Sequence, residues 1–471
     1  MVCAGSGKRV KKSWGMATLL IFTFVVLCPR WALPMSLSDE NALGQKILKL
    51  IHKSEPFVDD GEILTYINEV GQRIVAHVGV TPYRFRFFVI DESVPNSFAT
   101  PGGTIYIYRG IIEMMSSEDE LAAIFGHECG HIMAQHFQRS IDDSKINSIA
   151  MLAGLIAGIF LGAPGLAAGG MAAGETSALK SSREHEMEAD LRGFGYLCKS
   201  GYDPKAMPAM MNKLLKRTWL ESANVPDYLE THPATQERVL YLNDLVKKEE
   251  ASGKDVRIPP IGNFKVIQAA LIAGYSDEQK ALEHFRAGIK KGDSIAVYGL
   301  GRLYLREQKW GQAVVELKKA ARLMPYDPFV LSTLAEAYRK TGKLKEAKSI
   351  LESALTIDPD SAIAHYRLAL VLMDMGKKDE AVANLTRIEE FAPTFPDIDY
   401  QLGVALGQTD KLGLAHFYLG CYYYQQADDR AAISQFKMAK PLLAGSPSEL
   451  KKTDDYLKEL SPKKHGFSLH L

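Results

Sequence analysis

The C-terminal part of the chain repeats with a period of 34 residues. Pro325, Pro359 and Pro393 stand 34 residues apart. Four other series keep the same step: Leu300, Leu334, Leu368 and Leu402; Gly301, Ala335, Ala369 and Gly403; Ala313, Ala347 and Ala381; and Leu317, Leu351 and Leu385. This period, with small residues at fixed positions, predicts stacked pairs of helices, because one pair alone cannot bury its apolar face. We therefore predict an all-α solenoid over residues 261–460.

The small residues and the closing proline are the tetratricopeptide signature, so each unit is expected to be one such repeat. A chain of 471 residues has room for more than this array. We divide it into a secretory signal peptide (1–35), an N-terminal domain (36–252), a linker around Pro259-Pro260 (253–260), the repeats (261–460) and a tail (461–471). Irregular units at both ends of the array are expected to act as caps.

The N-terminus has the pattern of a secretory signal. Four basic residues within positions 8–12 precede an apolar run at 16–28. That run is short for a membrane span, which takes about 20 apolar residues. The pattern predicts export. Lipidation at Cys28 and retention of the segment as an uncleaved anchor remain alternatives.

A second apolar segment, rich in glycine and alanine, covers residues 150–174 and is interrupted by Pro164. The proline and the glycines favour two short helical pieces packed in the core. Peripheral contact of this segment with a membrane surface is the alternative.

Charge and cysteine content exclude several classes of protein. Lys+Arg and Asp+Glu balance at 56 each, so the chain lacks the excess of positive charge that is typical of nucleic-acid-binding proteins. Beyond the signal segment only Cys129, Cys198 and Cys421 remain, with no CxxC pair. This spacing predicts neither a disulfide framework nor a cysteine-based zinc site, although one disulfide remains open.

One pentad carries candidate chemistry. His127-Glu128-Cys129-Gly130-His131 matches HExxH, and it lies on a helix predicted to begin after Ser117, with Glu120 completing a capping box, and to continue to about His136. Residues four apart share one helix face, so both imidazoles can reach one metal ion. Glu128 is then expected to act as general base on a zinc-bound water.

A third ligand is expected from a charged helix further along the chain. His136 does not fit, because the longer motif with a third histidine requires Gly at 134 and His at 137. Glu186 and Asp190 lie four apart on the charged helix; Glu186 is predicted to bind the metal and Asp190 to accept a proton from a ligand imidazole. Glu184 and Glu188 are interpreted as solvated charges.

Together these motifs resemble the family of HtpX and the CaaX prenyl proteases. The resemblance is carried by HExxH, by ExxxD at 186–190, by Thr231-His232-Pro233 and by the segment Asn96–Gly103. It implies an α+β zincin-like metallopeptidase domain over 36–252, mainly helical, with a small sheet and an active-site edge strand, and one Zn²⁺ per chain.

Carried onto this chain, the family pattern implies a set of site residues. The implied zinc ligands are His127, His131 and Glu186. His232 is implied as a regulatory fourth ligand in a self-inhibited state, and Arg238 as the group that stabilises the oxyanion. The alternatives are a helix-start residue for His232 and a surface ion pair for Arg238.

Substrate is expected to lie extended against one predicted strand, Thr104, Ile105, Tyr106, Ile107 and Tyr108, because main-chain pairing tolerates many side chains. The resemblance then implies a periplasmic endopeptidase for unfolded or misassembled polypeptides. Its repeats are expected to contact the outer-membrane assembly machinery. An assembly chaperone with a largely latent protease site is the alternative.

Overall fold

A computed structural model describes residues 36–139, 175–220, 232–253, 257–391, 395, 397–426 and 428–461. The predicted signal peptide, the apolar segment 150–174, Thr231 and residues 462–471 lie outside the described residues. Within the described residues, no helix combines the length and the apolarity that a membrane crossing requires.

The N-terminal domain begins with two capped helices, α1 (Leu37–Ser54) and α2 (Gly61–Val75). The Asp60 carboxylate accepts hydrogen bonds from the first free amides of α2, at Glu62 and Ile63, as a good N-cap does. The apolar residues of α2 recur every three to four positions and are fully buried: Ile63, Ile67, Val70 and Ile74. This face anchors α2 in the core.

Three strands follow, β1 (Arg86–Ile90), β2 (Ser97–Thr100) and β3 (Thr104–Tyr108), in the sheet order β1-β3-β2. β3 pairs in parallel with β1 and antiparallel with β2. The predicted edge strand is therefore wrong: Thr104–Tyr108 is the central strand, and its five residues are all buried. A run of β-branched and aromatic residues on both faces fits a strand covered on both sides, and its main chain has no free edge for a substrate.

The HExxH pentad lies on α4 (Glu118–Met133), which follows the short helix α3 (Arg109–Met114). The predicted capping box does not form: the Ser117 side chain makes no cap hydrogen bond, and Glu120 Oε2 accepts from the N–H of Ser116 at 2.6 Å, one residue before the N-cap. α4 also ends before His136, the predicted limit, because Gln135 adopts a left-handed conformation with φ 56°.

The charged helix α5 (Glu175–Lys199) crosses α4, and α6 (Ala206–Leu220) and α7 (Gln236–Ala251) complete this part of the fold. Two glycines permit the close crossing. A Cβ at Gly130 would lie 2.5 Å from the carbonyl oxygen of Ala189, and one at Gly193 would lie 2.7 Å from the backbone of Gly126. A larger side chain at either position would push α5 and its carboxylates away from the pentad.

Helical pairs form the C-terminal part. Its described helices are α8 Phe264–Tyr275, α9 Glu278–Lys290, α10 Ser294–Arg306, α11 Trp310–Leu323, α12 Pro328–Lys340, α13 Leu344–Ile357, α14 Ala362–Asp374, α15 Lys378–Phe391, α16 Ile398–Gly407, α17 Leu412–Gln425, α18 Asp429–Ala439 and α19 Pro447–Glu459. Each of α10, α12, α14 and α16 packs against the helix that follows it. The fold class predicted from the sequence is confirmed: a mainly helical domain with a small sheet, then an all-α repeat array.

An ionic cluster joins the start of α2 to the repeats. Arg302, on α10, donates hydrogen bonds to both Asp60 and Glu62, which precede it by about 240 residues. Thr333 Oγ1, on α12, donates to Glu62 Oε2 at 3.1 Å, and Arg367 Nη2, on α14, donates to Glu62 Oε1 at 3.3 Å. We call these five residues the Arg302 cluster. It fixes α2 against the first helix of three successive pairs.

Candidate metal centre

Four side chains from three segments converge on one point. His127 and His131 come from α4, Glu186 from α5, and His232 from the segment before α7; one ligand atom of each lies within 4.8 Å of all the others. His127 Nε2 and His131 Nε2 are 3.0 Å apart, and His232 Nδ1 lies 3.4 Å from His127 Nε2. Glu186 Oε1 lies 2.9 Å from His232 Nδ1 and 3.3 Å from His131 Nε2.

The four separations just given, 2.9–3.4 Å, are close to those between the ligands of a tetrahedral ion. Bonds of 2.0–2.1 Å from a zinc ion to four ligands place the ligand atoms about 3.3 Å from one another. A neutral imidazole carries a single N–H, so ring nitrogens that face each other at 3.0–3.4 Å bring at least one lone pair into the centre of the cluster. Glu186 Oε2 is buried and meets Arg238 Nη1 at 2.8 Å, as an ion pair without good hydrogen-bond geometry. A cation at this centre would accept the lone pairs.

The carboxylate of Asp190 orients the first imidazole. Asp190 Oδ1 lies 2.9 Å from His127 Nδ1, and because a carboxylate only accepts, His127 donates from Nδ1 and its Nε2 lone pair faces the cluster. Arg238 donates to the same carboxylate twice, through Nε and Nη2 at 2.8 Å each, and the Tyr241 hydroxyl donates to it as well. Asp190 is thus fully satisfied and held in one orientation.

Arg238 is committed to carboxylates. Besides Asp190 it faces Glu186 Oε2 at 2.8 Å through Nη1, which also donates to the Pro233 carbonyl at 2.9 Å. It is 6% exposed, so the alternative of a surface ion pair is wrong. The oxyanion role stays a prediction, because it would require the guanidinium to leave at least one of these contacts. His232 precedes the N-cap Thr235 of α7 and points into the cluster.

The proposed general base lies next to a serine on β2. Glu128 is fully buried; its Oε1 accepts from Ser97 Oγ at 3.0 Å. Its other oxygen, Oε2, has no hydrogen-bond partner within the described part of the chain. One oxygen is therefore fixed, and the second remains available to accept a proton.

His131, the second imidazole of the pentad, reaches a carboxylate through another ring, whereas His127 contacts one directly. His131 Nδ1 lies 2.9 Å from His136 Nδ1, and His136 Nε2 lies 3.2 Å from Glu188 Oε2. Glu188 also accepts from Arg139 and Arg192 at 2.8 Å. Glu188, interpreted from the sequence as a solvated charge, is 31% exposed and also has three partners, one of which lies beside a candidate ligand.

Burial and close charges shift the pKa values of this site in opposite directions. Burial lowers the pKa of His127, but the hydrogen bonds to Asp190 and Glu186 outweigh it and raise this pKa to about 10. Burial lowers the pKa of His131 to about 3, against the attraction of Glu186. Burial opposes ionisation of Glu186, but the imidazoles of His232 and His131 hold its pKa well below the usual value.

The structure brings together the predicted ligands with Asp190 and Arg238, and it places Glu128 beside Ser97 on the helix that carries both pentad histidines. The strand 104–108 pairs with the strand of Ser97, but it is central and not at the edge. Sequence reasoning missed Ser97, Tyr241, His136 and Glu188 as contributors. Ser97 lies within the segment that carries the family resemblance, which was a usable signal. Tyr241 gave none, because its contact with Asp190 joins residues 51 positions apart. Cys129, Cys198 and Cys421 are free thiols.

Comparison with known proteins agrees with the two-part architecture. Residues 64–246 match the profile described as Peptidase family M48, and residues 340–405 match that of a tetratricopeptide repeat. The chain is 25% identical over 364 residues to the "Beta-barrel assembly-enhancing protease" of Escherichia coli O157:H7, which covers 75% of this chain and 74% of that protein.

Two further relatives match shorter stretches. A "Putative beta-barrel assembly-enhancing protease" of Vibrio cholerae is 27% identical over 314 residues, 64% of each chain. The "Mitochondrial metalloendopeptidase OMA1" of Schizosaccharomyces pombe is 26% identical over 211 residues, 43% of this chain and 60% of that protein.

Proposed function

We propose that this chain, a family M48 metallopeptidase domain joined to tetratricopeptide repeats, is an exported zinc-dependent endopeptidase that degrades misassembled or unfolded envelope proteins, in particular outer-membrane β-barrel proteins. The observation that carries the proposal is the set of four ligand atoms within 4.8 Å of one another, in the domain where Glu128 is buried with one free oxygen.

The ligand set favours zinc. Three imidazole nitrogens and one carboxylate oxygen at tetrahedral spacing are the donors that Zn²⁺ prefers, and we propose one ion per chain, held by His127, His131 and Glu186. When bound, zinc lowers the pKa of a coordinated water toward neutrality and polarises a carbonyl group.

The chain's own residues supply the proton transfer and the orientation. Glu128 Oε2 would accept the proton of the attacking water, while Ser97 fixes the other oxygen of the same carboxylate. Asp190 holds His127 with its lone pair toward the cluster, and Arg238 keeps Asp190 ionised and in place.

Substrate and location are supported by the relatives and by the N-terminal sequence. The printed names of the bacterial relatives connect a protease of this architecture with β-barrel assembly. The predicted signal peptide supports a periplasmic location. We propose that the repeats bind the assembly machinery or the polypeptide, since such arrays curve into grooves that hold peptides. Membrane contact through 150–174 stays a prediction.

The test uses Glu128→Gln, which keeps the shape of the side chain and removes the base. Cleavage of an unfolded outer-membrane barrel protein should fall by about 10²–10⁴-fold, while zinc stays bound. Glu346→Gln, an exposed substitution in the repeats, is the control and should cleave like the wild type. Undiminished cleavage by Glu128→Gln would defeat the assignment.

A latent protease is the second candidate, and the position of His232 favours it. His232 Nδ1 lies 2.9 Å from Glu186 Oε1 and 3.4 Å from His127 Nε2, in the place that a water would need. A fourth protein ligand closes a zinc site, whereas a catalytic site keeps one position open. His232→Ala should therefore raise cleavage. Unaltered or lost activity in that variant would exclude latency through His232.

A further inference from the structure

His136 lies against His131 although a regular helix would keep them apart. Residues five positions apart on an α-helix differ by about 140° around its axis. Here α4 ends at Met133, and the left-handed Gln135 turns the chain back, so that His136 Nδ1 comes to lie 2.9 Å from His131 Nδ1. The reversal of the chain creates this contact.

Side chains from two other segments hold the reversal in place. Gln135 Nε2 donates to the Tyr83 hydroxyl at 3.2 Å, and this hydroxyl donates to Glu40 Oε2 at 3.0 Å. A left-handed conformation at a residue with a Cβ persists only where its surroundings enforce it, and such residues concentrate at functional sites. The turn is therefore a built feature of the domain.

The donors and acceptors that these side chains offer fix the direction of the hydrogen bonds from His131 through His136 to Glu188. The Glu188 carboxylate only accepts, so His136 donates from Nε2 at 3.2 Å. The Nδ1 of a neutral His136 ring is then an acceptor, and His131 must donate from its own Nδ1. This leaves the lone pair of His131 on Nε2, the atom that faces the cluster.

Glu188 has the support that such an anchor needs. Arg139 Nη1 donates to its Oε2 at 2.8 Å, and Arg192 donates to its Oε1 through Nε at 3.0 Å and Nη2 at 2.8 Å. The His185 ring stacks on His136 with centroids 4.2 Å apart. Two cations keep the carboxylate ionised, and the stacked ring limits rotation of His136.

We propose that His136 and Glu188 are positioning residues for zinc binding: they fix the tautomer and the orientation of His131 through a relay from carboxylate to imidazole to imidazole. The proposal rests on the function proposed above, since it takes His131 as a ligand. Each histidine of the pentad would then be oriented by a carboxylate. Asp190 contacts His127 directly, and Glu188 acts on His131 through the His136 ring. Both anchors come from α5, which also supplies Glu186.

The test is the zinc affinity of the full chain, measured by competition with a chromophoric chelator. His136→Phe keeps a ring in the stack and removes the acceptor, so zinc should bind about 10–100-fold more weakly, the usual cost of losing such a partner. His136→Asn returns an acceptor near the position of Nδ1 and should recover part of that loss. In Co²⁺-substituted protein, the visible absorption bands should shift for His136→Phe and return toward wild type for His136→Asn.

His185→Phe is the matched control, because it replaces the other imidazole of the stack by the same ring and leaves the bonds from His131 to His136 and Glu188 intact. It should bind zinc like the wild type; an equal loss in His185→Phe and His136→Phe would assign the effect to replacing any imidazole of the stack and overturn the relay. Glu188→Gln keeps the His136 ring and removes the negative charge, so it should weaken zinc binding by a smaller factor. This variant replaces His136→Phe in the test if His136→Phe does not fold.

The outcomes separate this inference from the proposed function. Zinc bound equally tightly by wild type and His136→Phe, with unchanged Co²⁺ spectra, would overturn the relay and leave the peptidase assignment standing. A wild-type chain that binds no zinc would instead remove the function on which the relay rests.

Discussion

Two clusters of ionisable side chains in the described part of the chain differ in how their buried charges are compensated: the Arg302 cluster and the metal centre. In the Arg302 cluster, each carboxylate faces a guanidinium: Glu62 meets Arg302 and Arg367, and it is 1% exposed. In the metal centre, ring nitrogens face one another at 3.0–3.4 Å, and of the nearby carboxylates Glu186 meets Arg238 at 2.8 Å while Glu128 keeps one buried oxygen without a hydrogen bond among the described residues. The first cluster is satisfied by its own side chains, whereas the second brings together the donor atoms that a cation would bind.

This difference separates a structural cluster from a binding site on physical grounds. Buried charges are tolerated when partners of opposite charge and hydrogen bonds satisfy them. A cluster that meets this condition within the chain needs no ligand. Lone pairs brought together without a donor between them indicate that an ion belongs there.

The largest expected effect concerns the satisfied cluster. Arg302→Met leaves the buried Glu62 and the partly buried Asp60 with only part of their compensating charge, so the free energy of unfolding should fall by about 3–5 kcal/mol. Urea unfolding followed by circular dichroism measures this. Zinc content should stay at the wild-type level, because no ligand changes.

The control for that variant is an exposed arginine in the same array. Arg387 pairs with Asp360 at 3.0 Å, and both side chains are at least half exposed. Arg387→Met should cost at most about 1 kcal/mol. Equal losses in the two variants would mean that burial does not distinguish the Arg302 cluster from a surface pair.

The next effect concerns the unsatisfied cluster. An ion that binds only the folded chain stabilises it, by about 2.7 kcal/mol at a free concentration one hundred times its dissociation constant. Thermal unfolding with buffered zinc should show this increment in wild type and in Arg302→Met, and lose most of it in Glu186→Gln. An increment that persists in Glu186→Gln would argue against Glu186 as a ligand.

The smallest expected effect is the pH dependence of stability caused by Asp399, a buried carboxyl group in the repeats. Burial and repulsion from Glu389 raise the pKa of Asp399 to about 7, although Gln425 donates to it at 2.7 Å. The folded state therefore holds this proton to higher pH than the unfolded state, whose pKa is near 3.9. The resulting stability is present below about pH 4 and is lost as pH rises toward 7.

Asp399→Asn should remove that pH dependence. Between pH 5 and pH 8 the wild type should lose about 2.5 kcal/mol more unfolding free energy than the variant. Urea unfolding at the two pH values measures the difference. Parallel loss in both proteins would show that Asp399 is adequately compensated, like Glu62.

What the sequence predicts well in this molecule is local or periodic. The spacing of four residues in the HExxH pentad and in Glu186–Asp190 fixes which side chains share a helix face, so each half of the metal centre could be predicted. The 34-residue period likewise predicts the repeated helical pairs. Both predictions succeed because they depend only on the regular geometry of the α-helix.

What the sequence predicts poorly depends on partners distant along the chain. The residues of 104–108 indicate a strand but not its neighbours, so the central strand was expected at the edge. The contact of Arg302 with Glu62 spans 240 residues and has no motif. The contact of His136 with His131 depends on a left-handed Gln135, a conformation that helical periodicity does not predict.

The most direct test of the account is the metal content of the purified mature chain, prepared without chelators and measured by mass spectrometry. We expect one zinc per chain in the wild type and in Arg302→Met, and substoichiometric zinc in His131→Ala and Glu186→Ala. A wild-type chain without a transition metal, or undiminished zinc in Glu186→Ala, would contradict the account.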